Sequence, residues 1–311
     1  MAKKKIANKT VTKKTAAKKL PKRPASAGKA KASPAPKRSS KASGLAGAAD
    51  VDKPVAQRIA ALQTLSPAVY NTSEALDAMM KILAATDEPV KLRLAVLEAL
   101  GAAAFSSAAF PSARASYIAT LRKVATDADP TLRRRVLGIL SREKDGYAQT
   151  KLLEGLQDPA KALVTPEKAL QLLGNDVHAD SYSVARTIAR NPPNPLARRE
   201  ALRLLAGDAA SAPMFETILR DKSEPTDVRQ LSASALQAIN PDLLRQRARE
   251  ILMDDSDNPD LHETCLTALT HFADSAVASD SALVSRIASM SGPAKSGVQR
   301  SARQFLDKYG R

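Results

Sequence analysis

The sequence predicts an all-α fold in which helix pairs stack into an α-solenoid behind a disordered N-terminal tail. Three observations predict it. Short amphipathic patterns recur about every 31 to 40 residues after residue 50, apolar residues make up 44% of the 311 residues while aromatic residues make up 3%, and the first 50 residues are rich in Lys, Ala, Ser and Pro. A period in this range is typical of repeat arrays. A core of Ala, Leu, Val and Ile suits closely packed helices.

Leucines that close the second helix of each pair define about seven to eight repeats. A small residue stands four positions before each leucine. Residues four positions apart share a helix face, so the small residue lets neighbouring helices approach. The leucines are Leu65, Leu100, Leu140, Leu173, Leu205, Leu236, Leu269 and Leu306. The small residues are Ala61, Val96, Val136, Ala169, Ala201, Ser232, Cys265 and Ala302.

An acid or Asn beside Pro marks the start of many second helices. Pro is tolerated in the first turn because its missing N–H would have no partner there, and the preceding polar side chain can cap free amides. These starts are Glu88-Pro89, Asp129-Pro130, Asn194-Pro195, Glu224-Pro225 and Asn258-Pro259. Weaker amphipathic stretches predict the first helices of the pairs at residues 74–84, 112–126, 181–190, 214–220 and 241–253.

Three successive second helices also begin with an Asp that is followed six residues later by an Arg. The pairs are Asp52/Arg58, Asp87/Arg93 and Asp127/Arg133. With these pairs, residues 51–311 resemble the HEAT-repeat family. The resemblance implies a right-handed solenoid of HEAT-like repeats, in which the six side chains form a structural ladder between adjacent repeats.

Later repeats depart from this pattern, which puts the ladder there in doubt. Two of them keep the basic position without the Asp, and two replace the Arg. The first two have Arg198 with Pro192, and Arg229 with Ser223; the last two have His262 and Gln299.

The first 50 residues carry most of the net charge. They hold 15 of the 48 Lys and Arg residues and one of the 32 acids, Asp50, and so account for +14 of the net charge of +16. We expect a disordered polycation. The leading interpretation is that it binds DNA or RNA without sequence preference, because bound Lys and Arg release counterions from phosphates. The alternatives are a tail that only aids solubility and a targeting segment. The first 50 residues resemble the tails of linker histones. The candidate polyanion-binding residues are Lys3, Lys4, Lys5, Lys13, Lys14, Lys18, Lys19, Lys22, Arg23, Lys37 and Arg38.

No group of residues in the sequence predicts a catalytic, cofactor or metal site. His262 and Cys265 share a helix face, but they occupy the ladder position and the small buried position, so structural roles are favoured over metal binding. The acids from Asp254 to Asp260 lack the central Gly of a calcium loop, and we expect them to cap the next helix. We therefore expect no cofactor and no enzyme activity.

The leading functional hypothesis is a scaffold that binds an unidentified protein partner through a concave surface, while the tail contacts nucleic acid. The alternative is a DNA-binding or DNA-repair protein, similar to the HEAT-like DNA glycosylases. The nearly neutral charge of residues 51–311 favours the scaffold. We expect no membrane contact and a cytoplasmic or nucleoid-associated protein in a bacterium, or a nuclear one in a eukaryote.

Overall fold

The computed structural model of the protein describes residues 43–65, 71–272, 275–293 and 296–310. Every regular element within these ranges is helical. The helices form eight successive pairs, in which a first helix packs against the second helix that follows it, and each pair packs against the next. This is the α-solenoid that the sequence predicts. The hand of its superhelix stays a prediction.

The pairs cover the whole described range. The first helices are α1 (Ser43–Ala49), α3 (Ser73–Ala84), α5 (Phe110–Val124), α7 (Gly146–Gln157), α9 (Ala179–Arg190), α11 (Ala212–Arg220), α13 (Pro241–Met253) and α16 (Ser281–Met290). The second helices are α2 (Val55–Gln63), α4 (Val90–Ser106), α6 (Pro130–Arg142), α8 (Pro166–Leu173), α10 (Pro195–Leu205), α12 (Thr226–Ile239), α14 (Pro259–Phe272) and α17 (Gly297–Tyr309). The short helix α15 (Ser275–Ser279) lies between the last two pairs.

The predicted rows of leucines and small residues form the core. Val96 and Leu100 in α4 are fully buried, and Cys265 and Leu269 in α14 are at most 1% exposed. The first and last repeats depart from the rows. Ala61 and Leu65 are only partly buried, and in α17 Phe305 is buried beside Ala302 while the neighbouring Leu306 is partly buried.

The array begins earlier than the sequence indicated. Helix α1 lies within the segment assigned to the tail, and it packs against α2. Two glycines explain the close approach: a Cβ on Gly47 would lie 3.3 Å from the Cβ of Ala61, and one on Gly44 would lie 2.6 Å from Leu65 Cδ2. The sequence gives little sign of such a helix, because small residues replace the usual apolar stripe.

Candidate functional site

Arg93 shows how one repeat is joined to the next. The first turn of α4 places its side chain inside the array, where it is 2% exposed. Its Nε donates to Leu83 O, at the end of α3, at 2.9 Å. Its Nη2 lies 2.6 Å from Oδ2 of Asp127, in the following repeat. One guanidinium therefore joins the two helices of its own repeat and also the neighbouring repeat.

The same arrangement recurs along the array, and we call each such Arg–carboxylate pair a rung. The Arg always lies in the first turns of a second helix, and its carboxylate always comes from the turn before the next second helix. The closest N–O distance in each rung is 2.6 Å. The four rungs in the described residues are Arg58–Glu88, Arg93–Asp127, Arg198–Glu224 and Arg229–Asp257.

The predicted ladder residues separate into two groups. Arg58, Arg93 and Asp127 lie in rungs, but Glu88 accepts the bond that we assigned to Asp87. The side chain of Asp87 is exposed. Glu88 brings both of its carboxylate oxygens to the guanidinium of Arg58, at 2.6 and 2.8 Å.

Asp52 is also exposed and lies in no rung with a described residue. A rung carboxylate pairs with the Arg of the preceding repeat, and no described second helix precedes α2. Asp52 therefore has no arginine of a preceding described second helix to pair with, and it does not take the ladder role that we expected within the described array.

The ladder continues into the later repeats, where the sequence pattern put it in doubt. Arg198 meets Glu224 and Arg229 meets Asp257 with two hydrogen bonds each. The substitution of Ser223 for Asp does not matter, because the neighbouring Glu224 supplies the carboxylate. His262 replaces the Arg in α14, and its Nε2 lies 3.0 Å from Ile251 O, so it keeps only the contact within its own repeat.

Arg133, in α6, is the exception. Its guanidinium donates to the carbonyl oxygens of Leu163, Asp127 and Ala128 and forms no ion pair with a described residue. At the equivalent position of the next second helix stands Pro166, which has no guanidinium. The ladder is therefore interrupted between α6 and α10.

A large hollow lies at this interruption, and we call it the interruption cleft. Its volume is about 1230 Å³. Four cationic side chains and one acidic side chain line it, together with apolar residues of the loop after α7 and the end of α9. The charged residues are Arg133, Arg134, Lys168, Arg190 and Glu167.

A second hollow of about 730 Å³ lies along the second helices α4 and α6 and is also lined by the first helix α5 between them in the chain; we call it the second-helix groove. Gly101 and Gly138 form part of its floor, and Phe105 stands on its edge with 96% of its surface exposed. Arg134 and Arg142 also line it and form no ion pair with a described residue. Arg134 is shared with the interruption cleft.

Cys265 and His262 are part of the packing of α14. Cys265 is fully buried, and burial raises the pKa of its thiol to about 12. His262 is held by the carbonyl oxygens of Ile251 and Asp254 at 3.0 and 3.1 Å. Within the described ranges, no three His, Cys, Asp or Glu residues are arranged to hold a metal ion.

Asp254, Asp255 and Asp257 form ion pairs between repeats and do not cap α14 as we expected, whereas Asp260 lies in the first turn of that helix. Asn258 provides the cap, because its Oδ1 accepts the backbone N–H of Asp260 at 2.8 Å. The ion pairs are Lys222–Asp254, Arg286–Asp255 and Arg229–Asp257.

All eleven candidate polyanion-binding residues lie outside the described residues, from Lys3 to Arg38. Their binding to DNA or RNA stays a prediction. In the part of the chain that the structure describes, no helix has the length and apolar content needed to cross a membrane.

Comparison with known proteins finds similarity to solved structures. No family model and no curated protein matches the chain. Among solved structures, human deoxyhypusine hydroxylase in complex with glycerol is similar, with 17% sequence identity, a TM-score of 0.34, and coverage of 78% of this chain and 97% of that one.

This match corrects one expectation. We expected the chain not to be an enzyme, because no group of residues in its sequence predicts a catalytic site. The similar structure is that of a hydroxylase, and this expectation is therefore withdrawn.

Proposed function

We propose that this chain is a protein-binding α-solenoid. Its second helices would line the binding surface, which we expect to be concave, and the basic residues ahead of α1 would contact nucleic acid or another polyanion. The observation that carries the proposal is the second-helix groove with Phe105 on its edge.

Phe105 is unusual because a large aromatic side chain in the last turn of α4 packs against nothing in its own array. It is 96% exposed, whereas Phe110, at the start of α5, is 7% exposed. Burying an aromatic ring on binding contributes a large apolar area, and aromatic residues and Arg are enriched at the centres of protein interfaces. The groove offers both kinds of residue.

The charges of the groove are partly paired. Arg135 forms an ion pair with Glu98, and Arg114 forms one with Glu143. The groove therefore presents both signs of charge, which a protein partner can match with charges of both signs, whereas a phosphate backbone carries negative charge alone. The groove therefore favours a protein over a nucleic acid.

A photoreactive amino acid at position 105 tests the proposal. In an extract of the source cells we expect it to cross-link to one discrete protein. The matched control places the same amino acid at Ser116, an exposed position of the first helix α5. Equal labelling from both positions, or none from position 105, would contradict binding through the second helices.

The basic tail would tether this assembly to a polyanion and raise the local concentration of the bound partner. DNA and RNA binding is compared for the full chain, residues 1–42 and residues 43–311, since α1 belongs to the array. We expect binding only where residues 1–42 are present, with a steep fall as salt rises.

Binding of duplex DNA by residues 43–311 alone at moderate salt would favour the alternative function. The chain would then be a DNA-binding protein, similar in kind to the HEAT-like DNA glycosylases. The test therefore separates a tethered protein-binding array from an array that itself holds DNA.

A further inference from the structure

The interruption cleft lacks a carboxylate that the rest of the ladder supplies. In each rung the acid stands five or six residues before the ladder position of its own repeat, as Glu88 does before Arg93 and Asp127 before Arg133. The corresponding positions before Pro166 are Ala160 and Lys161. Arg133 therefore faces a repeat that has no acid at the rung position.

Arg133 keeps part of its hydrogen-bonding capacity free. Its Nε donates to Leu163 O at 3.1 Å, and its Nη1 donates to Asp127 O and Ala128 O at 2.7 and 2.9 Å. Nη2 has no described acceptor. The side chain is also partly exposed, whereas Arg93 and Arg229 are buried in their rungs.

The other charges of the cleft add to this imbalance. Arg134, Lys168 and Arg190 line it and form no ion pair with a described residue. The one acid on its wall, Glu167, accepts hydrogen bonds from Thr165 and Asn194, and the first of these lowers its carboxyl pKa most. Four cations thus face a cleft whose only acid is already hydrogen-bonded.

The walls of the cleft are apolar and carry no aromatic ring. Leu156, Leu163, Val164 and Ile188 lie among prolines of the flanking loops. Single-stranded nucleic acid is usually held by bases that stack on aromatic side chains, and this cleft offers none. Aliphatic walls beside several cations suit a peptide with both acidic and aliphatic side chains.

We propose that the interruption cleft binds an acidic segment of a protein partner, one carboxylate of which meets Arg133 in the place of the missing rung. The proposal rests on the proposed function, because it specifies the chemistry of the partner. Aliphatic side chains of the same segment contact Leu163, Val164 and Ile188, and Arg134 and Arg190 attract its remaining charges.

The test uses the full chain and an octapeptide of alternating Glu and Leu that carries a photoreactive group. The basic tail will also attract this peptide, so only cross-links within residues 155–193 are counted. Against the unchanged protein, Arg133→Gln is expected to weaken labelling of this segment about tenfold or more, because a hydrogen-bonded charge pair is lost. Arg190→Gln, an exposed change that leaves the fold in place, is expected to weaken it about threefold.

Arg203→Gln is the matched control. Arg203 is an exposed arginine of α10 that pairs with Glu200 and lies outside the cleft. A peptide of alternating Gln and Leu is expected to label the segment weakly. Equal labelling of the unchanged, Arg133→Gln and Arg190→Gln proteins would overturn the proposal.

Competition separates the two kinds of polyanion. An oligonucleotide of deoxythymidine is expected to displace the peptide from the tail but not from residues 155–193. Displacement from this segment would overturn the proposal in favour of a nucleic-acid site. Neither result depends on cross-linking from position 105, so failure of the cleft and failure of the proposed function are distinguishable.

Discussion

At the scale of single residues, the described array has one buried side-chain atom without a hydrogen-bond partner. Ser181 Oγ, in the first turn of α9, is fully buried, and nothing described accepts or donates to it. Ser232 in α12 is equally buried, but its Oγ donates to Val228 O at 2.9 Å. An unpaired buried hydroxyl destabilises the fold, whereas a paired one contributes modestly.

Ser181→Ala is therefore expected to raise the free energy of unfolding by about 1 kcal/mol, because the unpaired hydroxyl is removed and Ala favours the helix. Ser232→Ala removes a hydrogen bond from an equally buried site and is expected to give no gain. Urea unfolding of both variants checks this. A loss of stability in Ser181→Ala would mean that the hydroxyl has a partner in solution.

Rung arginines should matter more than surface arginines. Arg229 and Asp257 are both buried and share two hydrogen bonds, so Arg229→Met leaves a buried carboxylate without its cation. We expect a loss of about 3–5 kcal/mol in urea unfolding. Arg199→Met removes an exposed ion pair with Asp227 and is expected to cost less than about 1 kcal/mol. Equal losses in the free energy of unfolding would show that a rung stabilises the fold no more than a surface ion pair does.

At the scale of elements, two helical glycines have opposite surroundings. Gly155 lies in α7 where the following loop folds back, and a Cβ there would lie 2.8 Å from Ala162 Cα. Gly101 lies within α4, and a Cβ there would have no neighbour within 4 Å. The first glycine is therefore required by packing, and the second is not.

Gly155→Ala is expected to lower the free energy of unfolding by about 1–3 kcal/mol, because the loop that borders the interruption cleft must move. Gly101→Ala is expected to raise it by about 0.5–1 kcal/mol, because Ala loses less backbone entropy in a helix. Thermal and urea unfolding measure both. A stabilising Gly155→Ala would indicate that the loop adapts without strain.

The elements also show how far the sequence could be interpreted. The second helices were predictable because a small residue and a Leu repeat on one face, and Asp129 and Asn194 cap their helices as expected. Glu88 and Glu224 stand in the same position before Pro, yet their side chains do not cap the helix. Each forms a rung with the arginine of the preceding second helix instead. Sequence spacing alone could not separate these roles, because the partner lies about 30 residues away.

The interruption cleft was not predictable for a related reason. Pro166 suits the start of a helix and looks ordinary in the sequence. Its effect appears only when Arg133 is seen to lack a carboxylate across the repeat boundary. The signal that could have found it is a missing acid five or six residues before Pro166.

At the scale of the whole molecule, each repeat contacts its neighbours, so stability is distributed along the array. The rungs lie on both sides of the interruption, with Asp127 on one side and Asp257 on the other. Burial has the largest single effect and raises the pKa of each carboxyl. The hydrogen bond from Arg93 or Arg229, a backbone hydrogen bond and the nearby positive charges together outweigh it, and both pKa values lie below the ordinary value of 3.8.

The lowered pKa values of Asp127 and Asp257 in the folded chain predict how the free energy of unfolding depends on pH. About one pH unit or more above 3.8 the carboxyls are ionised in both the folded and the unfolded state, and the rungs contribute in full. Below this range the unfolded chain takes up protons first, so stability falls with pH until the folded carboxyls are protonated, by at most about 1.4 kcal/mol per pH unit for each carboxyl. Urea unfolding between pH 7 and pH 2.5 measures this slope.

Asp257→Asn is expected to be less stable at pH 7 and to have a shallower slope below pH 3.8, because one titrating rung is absent. Asp87→Asn is the control, since that exposed carboxylate lies in no rung with a described residue; its slope is expected to match the unchanged protein. If Asp257→Asn kept the full slope, the acid response would arise from surface carboxylates, and the rungs would not be the groups that tie the repeats together at low pH.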